Sequence, residues 1–116
     1  MSSLEEACKM LEGIRPIEDE SSSEKGAVTK SFLRKVFELI DYSKTKDEFL
    51  LSVAYMVARN KKFDDDDIVK FYIRLKNFVN KLSEDNWKDV VRDLMKLVIQ
   101  IYYIRASEVD EVCTTG

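Results

Sequence analysis

The chain of 116 residues contains no histidine, and it has only two cysteines, one proline and three glycines. Without histidine, Ser/His and Cys/His catalytic pairs and most general bases that work at neutral pH are excluded. Cys8 and Cys113 stand near opposite ends of the chain without a CxxC pair, so we expect neither a disulfide framework nor a zinc site. We therefore predict a protein that is not an enzyme and holds no metal or other cofactor.

Turn-forming residues and long apolar runs are also scarce. The shortage of glycine and proline, with few clustered β-branched residues, favours helices over turn-rich sheets. Residues 1–26 are acidic and polar and do not look like a signal peptide, so we expect a cytoplasmic protein that contacts no membrane. The abundance of lysine, isoleucine and valine would suit a thermophilic archaeon.

Helical apolar spacing recurs in five segments. A short helix starts at Ser3, a second runs from Ala27 or Thr29 to Tyr42, and a third follows a capping box at Thr45. A fourth follows Asp64, and a fifth extends from Ser83 to about residue 107. Residues 49–58 of the third helix are apolar on nearly every side, which is typical of a helix surrounded by other elements. The predicted fold is all-α, a small bundle of about five helices with one fully buried central helix.

The predicted domain organisation has three parts. Residues 1–26 form a short helix, expected to dock weakly, and a mobile acidic linker; residues 27–107 form the bundle; residues 108–116 form a frayed tail. Residues 1–26 carry three basic and seven acidic side chains, and residues 27–107 carry sixteen basic and twelve acidic ones. A mildly basic body between acidic ends is compatible with binding a polyanion, although the imbalance is small.

Two groups of carboxylates invite a catalytic or metal-binding interpretation. Asp64–Asp67 could hold a hard cation, but consecutive residues at a helix start point in different directions, and capping with Phe63 stapled onto Ile68 explains them better. On the last helix, acidic and basic residues form parallel stripes, interpreted as a salt-bridge face or else a partner-binding surface. These stripes are Asp85, Asp89 and Asp93 beside Lys88, Arg92 and Lys96.

The basic residues are the best candidates for a binding site. Three lie on the polar side of the second helix and three at the C-terminus of the third: Lys30, Arg34, Lys35, Arg59, Lys61 and Lys62. A helix C-terminus favours basic residues in any case, so the second group has a structural explanation too. A helix end held by the core would nevertheless suit a fixed phosphate contact. Four tyrosines could stack on bases or pack in the core: Tyr42, Tyr55, Tyr102 and Tyr103.

Three stretches resemble one known family. They are Thr29-Lys30-Ser31-Phe32-Leu33-Arg34-Lys35-Val36, Val53-Ala54-Tyr55-Met56-Val57-Ala58-Arg59, and the aromatic-rich apolar helix from Leu94 to Tyr103. A threonine-led helix with a hydrophobic-Arg pair, followed by an Ala-Tyr-x-x-Gly-Arg-like segment, is similar to the small α-helical subunit of type III-A (Csm-type) CRISPR effector complexes. Ala58 stands where that pattern has glycine, and the resemblance covers about residues 27–107.

The resemblance implies a non-catalytic subunit of an antiviral ribonucleoprotein. Such subunits are roughly five-helix bundles that stack in several copies, contact other subunits of the effector complex and line the channel for guide and target RNA. By position, Arg34 with Lys30 and Lys35, and Arg59, would contact the RNA backbone without reading its sequence.

Two other functions remain open at the level of sequence. A helical adaptor or regulator would bind another protein and no nucleic acid, and reversing the charges of Lys88, Arg92 and Lys96 would then hurt more than reversing Arg34 and Arg59. A small metal-dependent hydrolase would need Asp64–Asp67 for activity.

Overall fold

The computed structural model describes residues 3–17 and 25–113. Within these residues the chain forms five α-helices and no strand: α1 (Ser3–Met10), α2 (Lys30–Tyr42), α3 (Lys46–Asn60), α4 (Asp67–Val79) and α5 (Trp87–Ala106). The predicted all-α bundle of about five helices is confirmed. Half of the predicted mobile linker (18–24 of residues 13–26) and the last three residues of the predicted tail lie outside the described residues.

The second and third helices begin where their threonines predict. The N–H of Phe32 donates to Thr29 Oγ1 over 3.0 Å, and the N–H of Glu48 donates to Thr45 Oγ1 over 3.1 Å. Each hydroxyl satisfies one of the amide groups that a helix start leaves without an intrahelical partner. These caps place the first turns of α2 and α3 and therefore the basic residues that follow Thr29.

The start of α4 differs from the prediction. The helix begins at Asp67 with Asp66 at its N-cap, not at Asp64. Instead of capping the helix, Asp66 Oδ2 accepts hydrogen bonds from the N–H groups of Lys62 (2.6 Å) and Phe63 (2.7 Å). The carboxylate therefore closes the loop between α3 and α4, and the helix starts only after that loop has turned.

The prediction of a fully buried central helix is wrong for α3. Its buried residues lie on one side, Phe49, Leu50, Val53 and Val57. On the other side Leu51 is 71% exposed and Tyr55 is 62% exposed. The apolar residues around a helix show only which side chains can be buried. The main neighbours of α3 are α2 and α4, and they leave its outer face open.

The helix at the centre of the packing is α5. It packs against α1 and α2, and the Trp87 ring lies 5.3 Å from the Phe49 ring of α3, measured between centroids. Its buried residues recur through the whole helix: Trp87, Val91, Leu94, Met95, Val98, Ile101, Tyr102 and Ala106. These positions form one wide stripe along the 20-residue helix, so several neighbours can pack against it at different levels.

The first helix is part of the same core, so the expectation of weak docking is wrong. α1 packs against α5, and the buried side chains of this region are Ala7, Met10, Leu11 and Ile14. The narrow apolar stripe of α1 suffices because two of these residues follow the helix and widen the contact. The described part of residues 1–26 therefore belongs to the bundle.

A disulfide joins the two ends of the chain, contrary to the sequence-based expectation. Cys8 and Cys113 are bonded, with their Cα atoms 5.6 Å apart. Glu111 of the same tail pairs with α5, because Arg105 Nη2 lies 2.7 Å from Glu111 Oε1. The predicted frayed tail is therefore held against the bundle as far as Cys113. Sequence separation hid this pairing, because only the packing of α1 on α5 brings the two termini together.

Tyr102 fixes the chain on both sides of residues 18–24. Its buried hydroxyl donates to the carbonyl of Val28 (2.7 Å) and accepts from the N–H of Ile17 (2.9 Å).

Among the residues that the structure describes, none of the helices combines the length and the apolarity needed to cross a bilayer.

Candidate nucleic-acid interface

Three cationic side chains line a groove between the start of α2 and the end of α3. The groove has a volume of about 300 Å³, and Lys25, Lys35 and Arg59 are among its lining residues. Its other polar residues are Thr29, Ser31 and Asn60, and its apolar ones include the buried Phe32 and Ile68. Two of the predicted phosphate-binding residues, from two different helices, therefore come together at one open polar site.

Two further cations lie on the opposite side of α2, against Tyr103 of α5. Lys30 Nζ is 4.6 Å from the centroid of the Tyr103 ring, and the Arg34 guanidinium carbon is 5.6 Å from it. Arg34 also donates a hydrogen bond to the Tyr103 hydroxyl. A cation over the face of an aromatic ring is attracted by its quadrupole, so Tyr103 holds both side chains at the surface of α2.

Together these residues form a basic strip, defined here as Lys25, Lys30, Arg34, Lys35 and Arg59. The strip crosses the N-terminal half of α2 from the side of α5 to the side of α3. Because a helix with its side chains is about 10–12 Å across, the strip is wider than a single phosphate group. Four of the six sequence-predicted residues belong to it.

The other two predicted residues, Lys61 and Lys62, lie in the loop after α3. Lys61 Nζ is 2.5 Å from Asp64 Oδ1, and Lys62 Nζ is 5.5 Å from the centroid of the Phe63 ring. Neither lines the groove with Lys35 and Arg59. The structure thus brings together four of the predicted residues and places these two with local partners in the α3–α4 loop.

The charges of α2 run against its helix dipole. Its first turn contains Lys30 and no acidic residue, its last turn contains no basic residue, and Glu38 and Asp41 lie in its C-terminal half. A charge placed against the dipole costs about 0.3–1 kcal/mol at a helix end. In contrast, α3 has Asp47 and Glu48 in its first turn and Arg59 in its last. The helix dipole therefore favours Arg59 and disfavours Lys30, and an anion bound at the start of α2 would offset the repulsion there.

The four tyrosines separate into three environments. Tyr102 is buried, Tyr42 is strongly exposed, and Tyr55 and Tyr103 each lie beside cations of the basic strip. Tyr103 lies beside Lys30 and Arg34, and Tyr55 lies beside Arg59.

The acidic residues before α4 are engaged in local hydrogen bonds. A hydrogen bond and charge attraction from Lys61 lower the pKa of Asp64. The N–H groups of Phe63 and Lys62 lower the pKa of Asp66. Both shifts favour the ionised carboxylate, the opposite of what a general acid needs. Over the described ranges, no three metal-binding side chains of the His, Cys, Asp or Glu type are grouped to hold an ion.

The predicted salt-bridge face of α5 is present in part, and the helix begins at Trp87 instead of after Ser83, so Asp85 precedes it. Arg92 Nη1 lies 3.0 Å from Asp89 Oδ1, three residues away on the same helix. Its Nη2 lies 2.5 Å from Asp41 Oδ1 of α2. Arg92 therefore joins two helices as well as forming the expected pair along α5.

Lys25 is a member of the strip that sequence reasoning missed, because it lies in the stretch interpreted as a solvated acidic linker. The signal that could have found it is Gly26, the next residue. Gly26 has φ of +90°, a conformation that glycine adopts readily, and its carbonyl accepts the N–H of Ile68 over 2.9 Å. This bond ties the turn to the start of α4 and holds Lys25 at the groove.

Comparison with known proteins gives no match: no protein-family model, no curated protein and no solved structure matches this chain. The resemblance to the Csm-type small subunit therefore depends on the residue patterns of α2, α3 and α5 alone.

Proposed function

We propose that this chain is a non-catalytic subunit that binds the phosphate backbone of single-stranded RNA along the basic strip. The observation that carries the proposal is the convergence of Lys25, Lys35 and Arg59 on one polar groove. Lysine and arginine contacts to phosphates supply affinity without reading sequence. Lys30 and Arg34 extend the cationic surface across α2, so the strip fits a chain of phosphates better than a single small anion.

The aromatic ring beside the strip favours a single strand, and the length of the strip sets the strength of binding. Tyr103 presents an aromatic ring beside two cations, and unstacked bases of a single strand can lie against such a ring. The strip is also short, so one copy offers about five phosphate contacts, each contributing about −0.7 to the logarithmic salt slope on a single strand. Binding by one copy is then weak, and several copies along one RNA would add avidity.

The resemblance to the Csm-type family suggests a more specific setting for the same chemistry. In that setting the strip would face the channel for guide and target RNA in a CRISPR type III-like ribonucleoprotein, and the other subunits of the effector complex would be its protein partners. Co-purification with those large subunits tests this setting separately from RNA binding by the isolated chain.

The test is fluorescence anisotropy with a labelled single-stranded RNA of mixed sequence at two or more salt concentrations. The variant Lys25→Glu/Lys35→Glu reverses two groove cations and leaves α3 unchanged. The matched control, Lys88→Glu/Lys96→Glu, makes the same change of net charge on α5, away from the groove. Helicity measured by circular dichroism establishes that both variants fold.

We expect salt-dependent binding that the groove variant loses and the α5 variant keeps. For any residual binding, the slope of the logarithm of the affinity against the logarithm of the salt concentration should become less negative by about 1.4, because two phosphate contacts are removed. An equal loss of RNA affinity in the two variants would show that only the net charge of the protein matters, and it would contradict the proposed site. Loss in the α5 variant alone would place RNA binding on α5 and contradict the proposed site. No binding at low salt would contradict RNA binding and favour the adaptor function.

A further inference from the structure

The outer face of α3 is an apolar surface that no other described element covers. Leu51 is 71% exposed and Tyr55 is 62% exposed, one turn apart on the helix. Beside them lies a largely apolar groove of about 500 Å³ between α2 and α3, lined by Leu39, Leu51, Ser52, Tyr55 and Met56. Single exposed apolar residues are ordinary on a protein surface, but a contiguous apolar ridge and groove are typical of a contact site.

We propose that this face pairs with the same face of a second copy. The two α3 helices run antiparallel, and the two-fold axis that relates them crosses their contact at the level of Val53 along the helix. Leu51 and Tyr55 lie two residues on either side of Val53. In such a pair, Leu51 of each copy therefore meets Tyr55 of the other. The ridge of one helix can then enter the groove of the other, as in ordinary helix packing.

The charges at the two ends of the face select this arrangement. Glu48 lies five residues before Val53 and Arg59 six residues after it, about 7.5 and about 9 Å along the helix axis. At 3.6 residues per turn, Glu48 is rotated by about 40° and Arg59 by about 60° around the helix axis from the middle of the Leu51–Tyr55 ridge. Both rotations have the same sense, so the two side chains lie on the same flank of the ridge. A two-fold axis brings equal flanks of the two helices together, so Glu48 of each copy faces Arg59 of the other. A parallel pair would instead place like charges at the same level.

The side chains involved are available for this contact. Leu51, Tyr55, Glu48 and Arg59 are all exposed. Arg59 already lies with its guanidinium carbon 5.6 Å from the centroid of the Tyr55 ring, so it is held at the edge of the proposed contact. Arg59 also lines the phosphate groove, and a second copy would therefore compete with a phosphate for this one side chain.

Such a pair closes after two copies and cannot extend into a filament. It is therefore a different contact from the stacking of many copies that the family resemblance implies. Since each copy contributes mainly one helix, the contact is small and we expect a weak dimer, with a Kd between about 1 µM and about 1 mM.

The first experiment is sedimentation velocity of the full chain across that concentration range, without RNA. We expect a monomer–dimer equilibrium that Leu51→Asp abolishes. The matched control is Ile73→Asp, which places the same charge at another exposed apolar position, on α4. A wild type that stays monomeric, or a Leu51→Asp protein that dimerises like the wild type, would overturn the proposal.

The second experiment tests the orientation by charge reversal. Glu48→Arg and Arg59→Glu each create two repulsive pairs in a homodimer, so each variant alone should associate about tenfold more weakly or worse. An equimolar mixture should associate again, because the two basic side chains of one variant then face the two acidic side chains of the other. Weak association in the separate variants without recovery in the mixture would overturn the antiparallel pairing. Neither experiment uses RNA, so its outcome is independent of the proposed function.

Discussion

Opening the Cys8–Cys113 disulfide should cost this protein a large part of its stability. The two cysteines are separated by 105 residues, so the bond closes nearly the whole chain into one loop. In the chain-entropy model a loop of about 100 residues corresponds to about 4.7 kcal/mol at 25 °C, lost because the unfolded chain gains freedom. The free energy of unfolding of a typical domain is only about 5–15 kcal/mol. We expect losses of about 3–5 kcal/mol.

The assay is equilibrium unfolding in urea, followed by far-ultraviolet circular dichroism. Four samples are compared: the oxidised wild type, the reduced wild type, Cys8→Ser and Cys113→Ser. Either substitution opens the same loop, so the two variants and the reduced protein should lose the same free energy. Their m-values should also rise relative to the oxidised protein, because an unfolded chain without the cross-link exposes more surface.

A thiol titration of the denatured, unreduced protein shows whether the disulfide is closed. Two reactive thiols would show that the bond does not form. A closed bond combined with a loss below about 1 kcal/mol would refute the chain-entropy argument for this protein. Unequal losses in Cys8→Ser and Cys113→Ser would show that local packing, and not the loop, decides the effect.

The bond also constrains the predicted cytoplasmic location. Disulfides persist in oxidising compartments and are rare in a reducing cytoplasm, except inside hyperthermophiles. A stable closed bond would therefore be unusual in a cytoplasmic protein from any other source.

Two further predictions concern single side chains. Tyr102→Phe removes a buried hydroxyl bonded to Ile17 and Val28 and should lower the free energy of unfolding by about 1–3 kcal/mol. Tyr42→Phe, at an exposed position, should change it little, and an equal effect in the two variants would contradict the role of the buried hydroxyl. Asp66→Asn should destabilise the protein at neutral pH, since the folded pKa of Asp66 lies below its ordinary value of 3.8. The carboxylate stabilises the folded protein above that value, and this stabilisation is lost as pH falls through the folded pKa. In urea unfolding, the difference in free energy between Asp66→Asn and the wild type should therefore shrink in acid. A difference that stays constant with pH would contradict the role of the charged carboxylate.

The sequence by itself determined the local structure. Thr29 and Thr45 predict the first turns of α2 and α3, because a hydroxyl at the N-cap satisfies an amide group only a few residues away. The helical class and the cationic residues of α2 follow from periodicity and composition in the same way. These features depend on neighbours within one or two turns, and such neighbours can be identified in the sequence.

Tertiary packing decided everything that depends on distant neighbours. It left the apolar α3 exposed on one face, because the helices that contact α3 pack against its other face. It brought Lys25, Lys35 and Arg59 to one groove from three separate segments. It also joined Cys8 to Cys113, because α1 and the tail after α5 both pack at the same end of α5. The sequence records which side chains can be buried or paired, whereas the position of each helix in the bundle decides which of them are.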